Sequence, residues 1–137
     1  MTESSAFTLP QLPYLTAEIP PVPAAIKRRY EDFLVEEIPA YQPCGTGTHC
    51  YFTIEKTGLA TMRAVQDIAQ RLGRPTRDFG IAGLKDARAV TVQTLSLEHV
   101  EPERVRHLDI PRIRVLSVSR HTNKLKIGHL RGNRFRI

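Results

Sequence analysis

The apolar residues of this chain change period between Lys56 and Thr61. From His49 to Lys56 they alternate, with Cys50, Phe52 and Ile54 on one side and His49, Tyr51, Thr53 and Glu55 on the other. A period of two is that of a β-strand with one buried face. From Thr61 to Leu72, the residues Ala64, Val65, Ile68, Ala69 and Leu72 recur at helical spacing. Thr61 reads as the N-cap, and Gly73 followed by Pro75 as the stop. A strand joined by a short link to an amphipathic helix must bury both apolar faces, and packing the helix on a sheet does so. On this pattern, His49 and Tyr51 are expected on the exposed side of their strand.

The remaining segments fit the same architecture. Within Ile26–Pro39, Phe33, Val35 and Ile38 give a strand-like face, and Gly45-Thr46-Gly47-Thr48 is a turn signal. Phe79–Gln93 reads as two short strands around Lys85-Asp86, and Glu103–His107 as a short helix. In Arg112–Ser119, Ile113 and Val115 alternate, but Leu116 and Val118 break the phase, which predicts a bulge. Lys124–Ile127 alternates again, and Asn133, Phe135 and Ile137 share a face. The expected fold is α+β: a mixed, mainly antiparallel sheet with one main helix. Residues 1–25 contain Pro10, Pro13, Pro20, Pro21 and Pro23 and read as an extended lead-in; 26–137 forms the domain. The last alternation is unfinished at Ile137, so the chain is expected to be the front part of a longer protein.

Charge narrows the function. The net charge is +6, and the cations are concentrated. Arg112, Arg114, Arg120, Lys124, Lys126, Arg131, Arg134 and Arg136 follow Ile110 with no Asp or Glu among them. That segment suggests a nucleic-acid partner. Glu36, Glu37, Arg112 and Arg114 are expected on solvated faces or in surface pairs. Cys44 and Cys50 are too few for a disulfide scaffold, and no signal peptide or membrane-spanning run is visible, so the default is a cytoplasmic protein. Cys44, His49 and Cys50 lack partners at zinc spacing, and no phosphate-binding glycine loop or nucleophile elbow occurs. No metal and no cofactor are expected.

What remains is Asp86, between Lys85 and Arg88. Neighbouring cations favour an ionised carboxylate, which can serve as nucleophile or base. Asp is also an ordinary turn residue. From the residues alone, both readings stand.

Four stretches bear on the choice: Lys27–Glu37 (KRRYEDFLVEE), Gly45–Thr61 (GTGTHCYFTIEKTGLAT), Ala82–Gln93 (AGLKDARAVTVQ) and Arg120–Ile137 (RHTNKLKIGHLRGNRFRI). In this order they resemble the TruD family of tRNA pseudouridine synthases. The resemblance implies isomerisation of uridine to pseudouridine in tRNA, at position 13 in bacterial members, without metal or cofactor. It implies that Asp86 is catalytic. It further implies that Lys27 lies near that site, that Asn133 positions the aspartate, and that Phe135 stacks on the target base. Lys85 and Gln93 belong to the same motifs and are taken as substrate-binding. The family's enzymes are longer, so part of the cleft wall is absent from this sequence. The alternatives are a non-enzymatic RNA-binding remnant and a fragment that needs the missing C-terminal half. The oligomeric state is not implied.

Overall fold

The computed structural model describes residues 12–137; Pro10 of the lead-in lies outside them. The elements run β1 (Leu34–Pro39), β2 (His49–Thr57), α1 (Thr61–Leu72), β3 (Phe79–Ile81), β4 (Val90–Glu98), α2 (Pro102–Arg106), β5 (Ile113–His121) and β6 (Leu130–Arg136). The strands form one sheet in the order β5-β2-β4-β1-β6, with β3 also on β4. β1 and β4 are parallel; the other pairings are antiparallel. The mixed, mainly antiparallel sheet is the expected one.

The helix has the expected bounds, and Gly73 ends it in a left-handed conformation (φ 67°) that costs glycine little. Its start differs from expectation. Ala60 is the N-cap and Thr61 the first helical residue. The Thr61 hydroxyl is taken instead by other partners, described below. Ala64, Val65, Ile68, Ala69 and Leu72 pack against Cys50, Phe52, Ile54, Leu95 and Leu97 on one sheet face, the main core. The bulge is where the phase break puts it: the β2–β5 register shifts between Thr53 and Ile54, so that Leu116 is passed over between Ser117 and Val115. Lys124–Ile127 forms no strand.

The second sheet face is not simply solvated. Tyr51 and His49 are both buried, contrary to the one-sided reading of β2. Tyr51 packs with Ala82 and Leu125, and against Tyr41 and Leu130. Its hydroxyl donates to Asn123 O at 2.7 Å and lies 2.9 Å from the Tyr41 hydroxyl. The segment between β5 and β6 folds back over this face and supplies Asn123 and Leu125, while Tyr41 comes from the β1–β2 connection and Ala82 from the one after β3. Desolvation pushes the Tyr51 phenol far up from its ordinary range.

One topological detail prepares the site. β1 and β3 share the same edge of β4. β1 pairs with Val90–Val92 and β3 with Leu95–Leu97. Neither covers the middle, and the Thr94 N–H there is accepted by Glu37 Oε1 at 3.2 Å. The loop from Ala82 to Ala89 spans this gap.

Candidate active site

Strand register places the residues of interest in two rows on the face that carries α1. One row is Lys56 on β2, Thr91 on β4, Val35 on β1 and Phe135 on β6. Two residues along each strand, Ile54 pairs with Gln93, and Glu37 pairs with Asn133. Side chains alternate along strands, so both rows share a face. The 82–89 loop lies over these rows and carries Asp86.

Four polar contacts hold the loop from beneath. The Lys85 N–H donates to Thr61 Oγ1 at 2.8 Å, and that hydroxyl donates to Gln93 Oε1 at 2.9 Å. Gln93 Nε2 donates to Gly83 O at 3.2 Å. The Lys85 ammonium sits 2.9 Å from Glu37 Oε2, with both side chains only 2% exposed. The pair meets at charge-pair distance without a well-directed hydrogen bond. Glu37 is therefore not on a solvated face. The Lys85 and Gln93 side chains are buried as well, between the loop backbone and the sheet.

Above the loop the arrangement is open. The Asp86 carboxylate is half-exposed, with Lys27 Nζ 3.6 Å from its Oδ1. The same ammonium stands 4.0 Å from the centroid of the Phe33 ring, a cation–π distance. Phe33 in turn packs against Phe135 with centroids 5.9 Å apart. Asp86, Lys27, Phe33 and Phe135 thus form a continuous line, ending on an aromatic ring that is 55% exposed. Lys27 reaches its place through a left-handed backbone (φ 56°), uncommon outside glycine and found at functional sites. The cation beside Asp86 is Lys27. It is not Lys85, which is spent on Glu37, nor Arg88, which donates to Lys27 O at 3.4 Å. Asn133 is exposed, and its side chain makes no hydrogen bond among the described residues.

Lys56 and Phe33 are additions that the sequence reading did not make. Lys56 is fully buried, and its ammonium donates to Leu59 O at 2.6 Å and to Asp86 O at 3.0 Å. Burial is the main cause that pulls its pKa down to about 8; Asp86 opposes this and Lys85 adds to it. The unfolded chain then binds the extra proton between about pH 8 and the ordinary lysine value near 10.5. Stability should accordingly rise with pH through that window. Relative to Lys56→Met, the native chain should gain on the order of 2–3 kcal/mol between pH 7 and pH 10 by denaturant unfolding. Equal slopes for the two proteins would show that Lys56 is not desolvated.

Comparison with known proteins shows the family. The family described as tRNA pseudouridine synthase D (TruD) matches residues 11–137. The chain belongs to the TruD family. A tRNA pseudouridine synthase D of Geotalea daltonii is 55% identical over 91% of this chain and 32% of its own length. That of Anaeromyxobacter dehalogenans strain 2CP-C is 48% identical over 92% of this chain and 36% of its own. The chain therefore spans about a third of the curated relatives it matches. A crystal structure described as a putative TruD from Methanosarcina mazei superposes with a TM-score of 0.75 at 24% identity. It covers 80% of this chain and 25% of that one, and supports the fold.

Within this TruD chain the cations are not distributed as the C-terminal cluster suggests. Arg114 pairs with Glu55 at 3.1 Å and Arg134 with Glu36 at 3.1 Å. Both acids point to the face opposite Lys56 and Glu37 by strand alternation. Lys27, which pairs with Asp86, lines a depression of about 550 Å³ together with Arg28, Arg29, Tyr30, Glu31 and Arg88. Arg29 is neutralised by Asp32 at 3.0 Å. Among the described residues no group of three His, Cys, Asp or Glu converges to hold a metal, and no helix is long and apolar enough to cross a membrane.

Proposed function

We propose that this chain carries the aspartate side of a tRNA pseudouridine synthase site and acts on a uridine of tRNA, uridine 13 by family resemblance. The observation that supports this most is the line Asp86–Lys27–Phe33–Phe135, which joins a half-exposed carboxylate to an exposed aromatic platform. Pseudouridine formation breaks the N1–C1′ bond of uridine, turns the base and joins C5 to C1′. The reaction balances within the nucleotide and calls on no cofactor. It needs a carboxylate at the ribose, either as nucleophile at C1′ or as base at C2′, and Asp86 fills that role. The uridine must leave its stack to be reached. Phe135 offers its face to the base, a stacking contribution of about 1–3 kcal/mol. Asn133, on the same face one pair from Phe135, is within the same half-site and serves the base or the aspartate. Lys85 and Gln93 act beneath the loop, as parts of its support. The cytoplasm, where tRNA is found, is the proposed location.

The test is release of label from C5 of uridine in tRNA, by this chain alone and with a polypeptide supplying the remaining family sequence. Asp86-dependent release in either preparation supports the reading. RNA binding without release in both would favour a non-enzymatic binding role.

The placement of charge gives a sharper expectation for binding. Arg28 and Arg88 line the same depression as Lys27, and among the described residues neither has a carboxylate within ion-pair distance. Removing either to alanine should weaken single-stranded RNA binding and lower the slope of log K against log salt by about 0.7. Arg114→Ala and Arg134→Ala, on the opposite face, should leave that slope unchanged. The reverse ranking in a filter-binding salt titration would place the RNA on the other face.

A further inference from the structure

Lys56 is the one fully buried ammonium of the described residues that has no carboxylate within ion-pair distance. Burying a cation is costly, and an apolar side chain of similar length would fill the same space in the core. What an apolar side chain could not do is donate hydrogen bonds to two backbone carbonyls. Those carbonyls belong to Leu59, in the link between β2 and α1, and to Asp86 itself. The lysine thus ties the residue carrying the half-exposed carboxylate to the rigid centre of the sheet. Its own strand is paired on both sides, to Thr91 of β4 and to Ile113 of β5. Other supports of the loop grip Ala82, Gly83 and Lys85, before Asp86, and Arg88 reaches Lys27 O after it. After it, the Ala89 carbonyl accepts the Gly58 N–H at 3.0 Å. Lys56 alone among these contacts holds the peptide unit of Asp86.

We infer that Lys56 is a positioning residue for Asp86: by holding its backbone carbonyl, it sets where the carboxylate stands relative to Lys27 and to a uridine on Phe135. This rests on the proposed activity. Small displacements of a reacting group are enough to cost a large part of the rate. The effect belongs in kcat, since the lysine touches no surface that RNA can reach.

The experiment compares Lys56→Met with Lys56→Gln, whose amide keeps two N–H donors on a side chain shorter by one bond. Two quantities are read: amide hydrogen exchange across the chain, and kcat and KM for C5 label release in the preparation that shows Asp86-dependent turnover. In Lys56→Met, exchange at residues 85–89 should quicken by about tenfold or more, with the Phe52 and Leu95 amides unchanged. Its kcat should fall by about tenfold or more, with KM within about threefold. Lys56→Gln should recover most of both effects. Unchanged loop exchange and kcat in Lys56→Met would overturn the inference. So would equal loosening of loop and core, or failure of both variants to fold, since the lysine would then serve folding alone. If no preparation shows turnover that Asp86→Ala abolishes, the activity reading fails, and the exchange data still decide whether Lys56 holds the loop.

Discussion

Asp86→Asn is expected to abolish isomerisation of uridine and to leave the fold unchanged. The substitution keeps the shape of the side chain and removes its charge. Neither attack on C1′ nor abstraction at C2′ is open to an amide at useful rates, so turnover should fall by at least about 10⁴-fold. The fold should barely respond. The carboxylate is half-exposed and has one ion pair, to Lys27 at 3.6 Å, and pairs of that kind contribute about 0–1 kcal/mol. Lys27 keeps its cation–π contact with Phe33 in the variant. RNA binding should be as tight or tighter, because a negative charge leaves a surface that faces phosphates. The measurement is C5 label release together with urea unfolding of the same preparations. Turnover retained within about tenfold would return Asp86 to an ordinary turn residue.

Lys85→Met is expected to have the opposite profile: a large loss of stability. The side chains of Lys85 and Glu37 are both 2% exposed, and the ammonium is the only partner in reach of Glu37 Oε2 among the described residues. Removing one partner of a buried pair leaves an uncompensated charge, at a cost of about 3–5 kcal/mol. Glu37 cannot turn to solvent, because its other oxygen holds the Thr94 N–H in the gap between β1 and β3. Glu37→Gln in the same chain removes the stranded charge and keeps an acceptor for Thr94. The double variant should therefore recover about 2 kcal/mol or more of the loss. Denaturant melts of the three proteins check this. A cost for Lys85→Met below about 1 kcal/mol would mean that the pair is solvated and that the loop is supported by other contacts.

The two residues are neighbours in sequence, and only the fold separates their roles. Periodicity could show that β2 alternates, that α1 has one apolar face and that Leu116 interrupts β5, because burial against a single core leaves those patterns in the residues. It could not show what covers the other face. His49 and Tyr51 look solvated in the pattern of β2, yet both are buried, and the Asn123 carbonyl that Tyr51 meets in the segment after β5 is remote in sequence. Charged residues were misplaced for a related reason. Glu37, Lys56 and Lys85 each have a hydrophilic side chain, and hydropathy assigns such residues to the surface. Their burial follows from the 82–89 loop, which lies over the sheet and brings Lys85 to Glu37 and the Asp86 carbonyl to Lys56, contacts between residues remote in sequence that leave no local mark. Lys27 gave no local sign of its conformation either, since a positive φ is usually signalled by glycine or asparagine. The motif resemblance pointed to Asp86, Lys27 and Phe135, and the structure places these three in one line through Phe33. It left open that Phe33 joins Lys27 to Phe135 and that Lys56 lies beneath Asp86.

The central claim is that the uridine docks on the sheet face that carries Lys56, Thr91, Val35 and Phe135. Photocrosslinking tests it without requiring turnover. A tRNA with 4-thiouridine at the target position is bound to the chain and irradiated, and the linked peptide is identified by mass spectrometry. Linkage is expected within the Lys27–Phe33 segment or at Asn133–Phe135, lost in excess unlabelled tRNA. Linkage at Tyr41, Thr53 or Ser117–Ser119, on the opposite face, would contradict it.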